Sequence, residues 1–189
     1  MNFDPTYYDD LRREPHDPET KRLRSQLQKK LLEFGGERVV WLQNEPYLGQ
    51  LVEKGTLFRE PVRRKRGRRN ECHLNAAKLW GKDVQHTAIV SGYVLNDGLW
   101  LQHSWVLTRG KIYETTTRRE KYFGIVLDPI QALTFWYASC LVVEYPDPAS
   151  AAGWMEKYPG PAQLLKEFFA SYAEPTVTKP CSTSTSAPR

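Results

Sequence analysis

Residues Thr87–Thr116 read TAIVSGYVLNDGLWLQHSWVLTRGKIYETT, and this stretch decides the fold. Two runs rich in β-branched and aromatic residues, Thr87–Leu95 and Leu99–Leu107, flank an Asn-Asp-Gly sequence that is typical of a tight hairpin turn. An Arg-Gly turn then leads into a third run, Lys111–Thr116. The pattern predicts a three-stranded antiparallel meander.

Helical patterns lie on both sides of the meander. Asp17 and Pro18 are typical of a helix N-terminus, and leucines at helical spacing follow as far as Phe34, where a Gly-Gly pair ends the run. A second helix is predicted to begin near Cys72 and to end at Gly81. Further along the chain we expect a helix over Ile130–Leu141, a strand over Leu141–Tyr145 and short helices over Ala149–Lys157 and Pro161–Tyr172.

Length and composition indicate a single globular domain. The chain has 189 residues, of which 40% are hydrophobic and 26% are charged, an ordinary globular composition. We expect one domain over residues 1–173, with an N-terminal helix at about 17–34, a core at about 70–146 and C-terminal helices at about 148–173. The Pro-, Ser- and Thr-rich residues 174–189 are expected to form a disordered tail. The predicted fold class is α+β, in which a Cys-led helix packs on a small antiparallel sheet and other helices flank it.

The sequence favours a cytoplasmic protein. No apolar run approaches the ~20 residues that a membrane span needs, and the N-terminal residues lack an apolar signal core. The three cysteines, Cys72, Cys140 and Cys181, are too few and too scattered for a disulfide framework, which favours a reducing compartment. No membrane partner is therefore expected, and the sequence gives no indication of the oligomeric state.

Cys72 has the features of a reactive thiol. It is predicted to lie at a helix N-terminus, where the helix dipole favours the thiolate form. A thiolate nucleophile works with an imidazole that moves its proton and a third group that orients the imidazole. A histidine on a core-facing strand position is usually structural when it stands alone. His103 has a candidate partner, because folding about the Arg-Gly turn brings Glu114 on the third strand close to it. This favours a Cys-His-acid arrangement.

The other histidines fit this role less well. His73 follows Cys72 directly, and neighbouring helix residues do not face one another. His86 lies in a predicted turn and His16 lies near the N-terminus. A zinc site is disfavoured because the sequence has no CxxC, HxxxH or HExxH spacing. The sequence therefore predicts no metal ion and no cofactor.

The order of these motifs resembles the transglutaminase-like core of the papain-like cysteine-enzyme superfamily. A Cys-led helix is followed by the strand VSGYV (Val90–Val94), by HSWVL (His103–Leu107), by a glycine turn and by KIYETT. The resemblance covers roughly residues 70–117, about a quarter of the chain. It implies that Cys72 is the nucleophile, His103 the base and Glu114 the orienting acid.

The chain departs from this family pattern at two positions. The acid is Glu114 where the family usually has Asp, and the extra methylene requires its strand to lie slightly further from His103. The residue before Cys72 is Glu71, where many members carry a small or aromatic residue. An adjacent carboxylate would raise the pKa of the thiol and so oppose the helix dipole.

The chemistry that the resemblance implies is acyl transfer. The thiolate attacks an amide or ester carbonyl, and water or an amine then resolves the acyl-enzyme, so the protein would be a peptidase, amidase, deamidase or transferase. The expected substrate is a protein or a peptide-like amide. The backbone N–H of Cys72 would stabilise the oxyanion. Gln43 is the candidate for a second donor by analogy with the papain arrangement, although an ordinary turn-flanking glutamine is the simpler interpretation.

A basic run precedes the predicted nucleophile. The formal net charge is +5, and six of the seven residues in Arg63–Arg69 are cationic. We expect these cations, together with Trp105, to form a patch for a substrate or partner; they are Arg63, Arg64, Lys65, Arg66, Arg68 and Arg69. The alternative hypothesis is a non-catalytic basic binding protein on the same fold, which contacts nucleic acid or an acidic protein through this run. A solvated loop is favoured over a nucleic-acid site, because the run has no interleaved aromatic residues.

Overall fold

A computed structural model describes residues 17–41, 45–141, 144 and 153–172. Helices α1 to α6 span Pro18–Glu33, Leu48–Lys54, Cys72–Lys82, Pro129–Trp136, Trp154–Lys157 and Pro159–Tyr172, and a π-helical turn, Tyr137–Leu141, continues α4. Strands β1 to β7 span Arg38–Val40, Thr56–Phe58, Val62–Arg64, Thr87–Asn96, Leu99–Thr108, Lys111–Glu114 and Lys121–Val126. The fold is α+β, as predicted.

The predicted meander forms the middle of the sheet. Strands β4, β5 and β6 pair antiparallel in sequence order, and the β4–β5 ladder runs from Thr87 opposite Thr108 to Asn96 opposite Leu99. The second turn also forms as predicted: Arg109 and Gly110 both have positive φ, at 49° and 67°, which suits a tight hairpin.

The sheet is larger than the small antiparallel one that the sequence predicts. Six of its seven strands have the order β2-β7-β4-β5-β6-β3, and the seventh, β1, pairs additionally with β5. Two of the pairings, β1 with β5 and β3 with β6, are parallel. The expectation of a small antiparallel sheet was therefore wrong for these two pairings, because short strands from outside the meander add to it through contacts that are distant in the chain.

Helix α3 lies against the sheet and is held by an apolar face. Leu74, Ala77 and Trp80 are buried in the main core, together with residues of β4, β5 and α4. Gly81 lies inside this helix and does not end it, contrary to the prediction. A Cβ at Gly81 would lie 2.8 Å from the Trp136 ring, so the glycine allows close packing of α3 against the end of α4.

The N-terminal helix predicted over 17–34 is confirmed as α1. The Asp17 side chain accepts the Thr20 N–H at 2.7 Å and caps the helix, and Leu27 and Leu31 are fully buried. Helix α4 with its π-helical turn matches the helix predicted over 130–141. The strand predicted over 141–145 was wrong where the structure describes it, since Leu141 is in the π-turn and Glu144 is helical.

The predicted C-terminal helices correspond to α5 and α6, the first of them shorter than expected within the described residues. The predicted tail, 174–189, lies outside the described residues, as does Gln43. Among the residues described, none of the helices combines the length and apolar character required to span a bilayer.

A second, smaller apolar cluster supports the region around His103. It lies within the sheet and consists of Val90, Val94, Trp105, Ile112 and Tyr122. The Trp105 ring stacks on the His103 imidazole, with centroids 6.2 Å apart and planes inclined by 21°. The central strands thus hold the histidine on a rigid apolar base.

Candidate active site

Cys72 is the first residue of α3. The preceding residue, Glu71, makes no capping hydrogen bond with its side chain, so the positive end of the helix dipole is not neutralised by a cap. The thiol is partly buried. It lies within hydrogen-bonding reach of two imidazoles, those of His103 and His73.

His103 lies in the middle of β5 with only 3% of its surface exposed. Its Nε2 lies 3.0 Å from Oε2 of Glu114, and with the proton on Nε2 it donates to that carboxylate. The same ring contacts the Cys72 thiol, which leaves Nδ1 as the nitrogen available to the sulfur. The structure therefore brings the three predicted catalytic side chains together.

Glu114 ends β6 and is fully buried, with a hydrogen-bond partner on each oxygen. Oε1 accepts the Thr116 N–H at 2.7 Å and the Thr116 hydroxyl at 2.8 Å. Oε2 accepts the Tyr122 hydroxyl at 3.1 Å as well as the His103 N–H. Four donors on one buried carboxylate stabilise its ionised form and fix its position.

The strand register explains why glutamate suits this position. The β5–β6 ladder pairs Val106 with Tyr113, Leu107 with Ile112 and Thr108 with Lys111. Extending this register by one residue sets Glu114 beside Trp105, so His103 lies two residues away on the same face. The carboxylate reaches His103 along a diagonal, and the extra methylene of glutamate suits this offset.

The side chains hold one another in charged forms. Burial opposes ionisation of the Cys72 thiol, but hydrogen bonds and charges from His103 and His73 outweigh it and lower the thiol pKa to about 5. Burial likewise opposes protonation of His103, yet Cys72 and Glu114 raise its pKa to about 9. Burial also opposes ionisation of Glu114, whose pKa nevertheless falls to about 2 because His103 and Thr116 stabilise the carboxylate. A thiolate–imidazolium pair is therefore favoured at neutral pH.

His73 contacts the thiol, contrary to the expectation from helix geometry. Its Nδ1 lies 2.8 Å from the Ser104 hydroxyl, and its ring packs edge-on against Phe135 with centroids 5.8 Å apart. The rule that adjacent helix residues point apart was misleading here, because Cys72 and His73 both lie in the first turn of α3 and interact with neighbouring residues in the middle of β5, His103 and Ser104. No carboxylate hydrogen bonds to His73 among the described residues, which distinguishes it from His103.

The Glu71 carboxylate has a partner of its own. It lies 3.5 Å from the Arg68 guanidinium, and both side chains are substantially exposed. The increase in thiol pKa expected from this carboxylate is thus opposed, because a neighbouring cation balances its charge.

A cavity of about 330 Å³ opens beside Cys72 and His103, and we call it the thiol cavity. Its lining consists of Asn70, Cys72, His73, Val94, Leu101, Gln102, His103, Thr116 and Arg119. The sequence reasoning missed Gln102, whose Nε2 donates to buried Glu45 at 2.7 Å. Burial raises the pKa of that carboxyl. The pair joins positions far apart in the chain, so no local signal marks it.

The basic run is ordered along the sheet edge next to this cavity. Arg63 and Arg64 are in β3, which pairs with β6, and the remaining cations, Lys65, Arg66, Arg68 and Arg69, are exposed. Trp105 is not part of this patch. It is fully buried between Phe58, Tyr122 and His103, so the prediction that it contacts a substrate or partner was wrong.

The chain matches no family model, no curated protein and no solved structure. Its likeness to transglutaminase-like enzymes consists of the motif order described above. A functional interpretation therefore depends on the arrangement of Cys72, His103 and Glu114 and on the cavities beside them.

Proposed function

We propose that the protein is a cysteine-dependent acyl-transfer enzyme of the transglutaminase-like type, either a hydrolase or a transferase. The observation that carries the proposal is that one imidazole interacts with both a thiol and a buried carboxylate. The Cys72 thiol lies close enough to the His103 imidazole for each to favour the charged form of the other, and the buried Glu114 carboxylate accepts the N–H of that ring at 3.0 Å. This is the order of nucleophile, base and orienting acid that acyl transfer requires.

The reaction begins with the thiolate already formed. Cys72 attacks the carbonyl carbon of an amide or ester bound in the thiol cavity, a C–S bond forms and the carbonyl π electrons move to oxygen. The His103 imidazolium then gives its proton to the leaving amine or alcohol as the C–N or C–O bond breaks. Glu114 keeps the imidazole in the required tautomer and stabilises its protonated form.

The acyl-enzyme is resolved by a second nucleophile. Water or an amine attacks the thioester carbonyl while His103 accepts its proton, and the C–S bond breaks to restore the thiolate–imidazolium pair. The backbone N–H of Cys72 belongs to the first turn of α3, where N–H groups lack intrahelical acceptors, and it is suited to stabilise the oxyanion. Gln43 remains the candidate for the second donor.

The test is acylation of Cys72 by activated esters, thioesters and peptide amides, followed by intact mass spectrometry. We use a Cys181→Ser background and compare Cys72→Ser with the matched control Cys140→Ser. Cys140 is fully buried, and burial raises its thiol pKa. An acyl adduct that forms on Cys72, is released by water or an amine and persists in the Cys140 variant supports the proposal. If no acyl donor modifies Cys72 faster than it modifies a free cysteine, the protein is not an acyl-transfer enzyme.

A further inference from the structure

A second cavity, of about 450 Å³, adjoins the thiol cavity and is lined by four arginines. Arg64, Arg66 and Arg69 come from the basic run, and Arg119 comes from the loop between β6 and β7. We call it the arginine cavity. Its other lining residues are Gly67, Asn70, Thr116 and Thr117, so no acidic or aromatic residue is among the described residues that line it.

The two cavities share a wall. Asn70, Thr116 and Arg119 line both of them. Thr116 also holds the Glu114 carboxylate through its N–H and its hydroxyl. A group bound by the arginines therefore lies next to a carbonyl that is attacked by Cys72.

The arginine cavity is built by the fold rather than left to a solvated loop. The Lys65 N–H donates to the Glu114 carbonyl at 2.8 Å, and the Gly67 N–H donates to the Thr115 carbonyl at 2.7 Å. A Cβ at Gly67 would clash with the side-chain amide of Asn75, so glycine is required for this close approach. In the extended segment, Arg64 and Arg66 alternate with Arg63 and Lys65, and only the first pair lines the cavity.

The positive charge in the arginine cavity is not compensated within the part of the chain that the structure describes. None of its four arginines forms an ion pair there, whereas Arg68, outside the cavity, pairs with Glu71. Arg64 donates to the Thr116 carbonyl at 3.2 Å, a neutral acceptor. The Nε of Arg119 is buried and has no hydrogen-bond partner. A buried donor of this kind is satisfied when a ligand supplies an oxygen acceptor.

We propose that the arginine cavity binds an acidic side chain of the acyl substrate, so that the enzyme acts on peptides whose reacting amide has an acidic residue close by. This inference rests on the proposed function. Guanidinium groups pair with carboxylate or phosphate oxygens through two parallel hydrogen bonds, and several converge here. An extended peptide advances ~3.3 Å per residue, so a neighbouring side chain reaches an adjoining cavity. The absence of aromatic residues from the described lining disfavours nucleic acid, which stacks its bases on such residues.

Binding is tested separately from catalysis with the Cys72→Ala protein. Fluorescein-labelled peptides that carry Glu, phosphoserine or Gln at otherwise identical positions are titrated by anisotropy. We expect the Glu peptide to bind at least about tenfold more tightly than the Gln peptide, and this difference in affinity should decrease at high salt. Tighter binding of the phosphoserine peptide identifies phosphate as the preferred anion and supports the same site. Equal binding of all three peptides overturns the proposal.

The matched variants distinguish the cavity from the general charge of the protein. Arg66→Gln and Arg119→Gln each remove one cation from the cavity, and Arg63→Gln and Lys65→Gln remove one from the same region outside it. The first two should weaken binding of the Glu peptide about tenfold and the other two less than about twofold. Equal losses in both sets, or a single-stranded oligonucleotide that binds more tightly than the peptide and displaces it, overturn the proposal.

Alkylation links the arginine cavity to the nucleophile. Chloroacetyl peptides with Glu or Gln after the reactive group are compared by their rates of modification of Cys72 in the Cys181→Ser protein. We expect a faster rate with Glu, and Arg119→Gln should remove the difference. Rapid alkylation without a preference overturns the inference and leaves the proposed function intact. Selective binding of the Glu peptide, combined with a thiol that reacts no faster than a free cysteine, supports the anion site and overturns the proposed function.

Discussion

Asn75 holds the backbone of Arg68 with both ends of its side-chain amide. Oδ1 accepts the Arg68 N–H at 3.0 Å, and Nδ2 donates to the Arg68 carbonyl at 2.7 Å. Asn75 lies one turn into the helix that Cys72 begins and is 6% exposed. The basic run and the nucleophile are thus fixed to each other through one side chain.

The first prediction concerns this connection. Asn75→Ala removes both hydrogen bonds and should lower the free energy of unfolding by about 1–3 kcal/mol, because it leaves backbone groups of Arg68 without partners. Gly67→Ala should act in the same direction through a clash with the Asn75 amide, without changing any charge. Urea denaturation measures both effects. Gln28→Ala on the exposed face of α1 is the control and should change stability by less than about 0.5 kcal/mol. Stability equal to that of the control would show that the connection does not hold the segment.

The elements that could be predicted from the sequence are those that neighbouring residues define. The turn around Asp97 and Gly98 has the positive φ angles, 49° and 73°, that its residues favour, and it sets the register of the long hairpin. His103 and Glu114 could be predicted as partners for the same reason, since a single turn joins their strands. The parallel pairings and β7 were missed, because strands of three to six residues pair with segments far away in the chain.

Parts of the site were missed for the same physical reason. Arg119 lies in a loop, and its position at the wall of both cavities depends on how β7 returns to the sheet. Nothing in its neighbourhood distinguishes it from Arg118. The basic run could be recognised as charged, but only the alternation along an ordered segment separates Arg64 and Arg66 from Arg63 and Lys65.

The second prediction concerns the reactivity of Cys72. In a Cys181→Ser background, iodoacetamide at neutral pH should modify Cys72 faster than Cys140, because Cys72 is partly exposed with a lowered pKa and Cys140 is fully buried with a raised one. Peptide mapping of the alkylated protein measures both rates. Denatured protein is the control, in which the two rates should become similar. A native rate for Cys72 no greater than that of a free thiol contradicts an activated nucleophile.

The third prediction is the pH dependence of the same thiol. The Cys72 pKa of about 5 means that the thiolate is lost as the pH falls through 5, whereas a free cysteine loses it below about 8.5. Alkylation should therefore be nearly constant between pH 6 and pH 8. Acyl turnover should decrease as the pH rises through the His103 pKa of about 9, because His103 then has no proton to give to the leaving group. A profile that rises tenfold per pH unit from 6 to 8 would show an ordinary thiol.

The fourth prediction tests Glu114. Glu114→Gln replaces a charged acceptor by an amide and places an NH₂ group against donors from Thr116 or from His103 and Tyr122. Turnover should fall by about 10–10³, or about 1.4–4 kcal/mol of barrier, and the alkylation profile should move to higher pH. Glu114→Asp keeps the charge on a shorter arm and should retain more activity than the glutamine variant.

The free energy of unfolding of Glu114→Gln must be measured together with its turnover, since this variant loses a buried acceptor oxygen. The control is Thr116→Val, which removes the hydroxyl donor to Glu114 and keeps the carboxylate and its contact with His103. It should lower stability with little change in the pH profile. If Glu114→Gln and wild type share the same rate and pH profile, Glu114 is only a strand residue.

The last prediction assigns roles to the two imidazoles beside the thiol. His103 donates to a buried carboxylate, whereas the hydrogen-bond partner of His73 is the neutral Ser104 hydroxyl, so His103 is the imidazole that we assign as the acid. His103→Asn should lower turnover by about 10²–10⁴ at every pH, since proton transfer to the leaving group is lost. His73→Asn removes one hydrogen bond and one charge that lower the thiol pKa, so its alkylation and turnover should fall near pH 6 and recover toward the wild-type rate near pH 8. His86→Asn, at an exposed site paired with Asp83, is the control and should have no effect. Loss of turnover in His73→Asn that persists at pH 8, together with recovery in His103→Asn, would reverse the two roles and remove Glu114 from the mechanism.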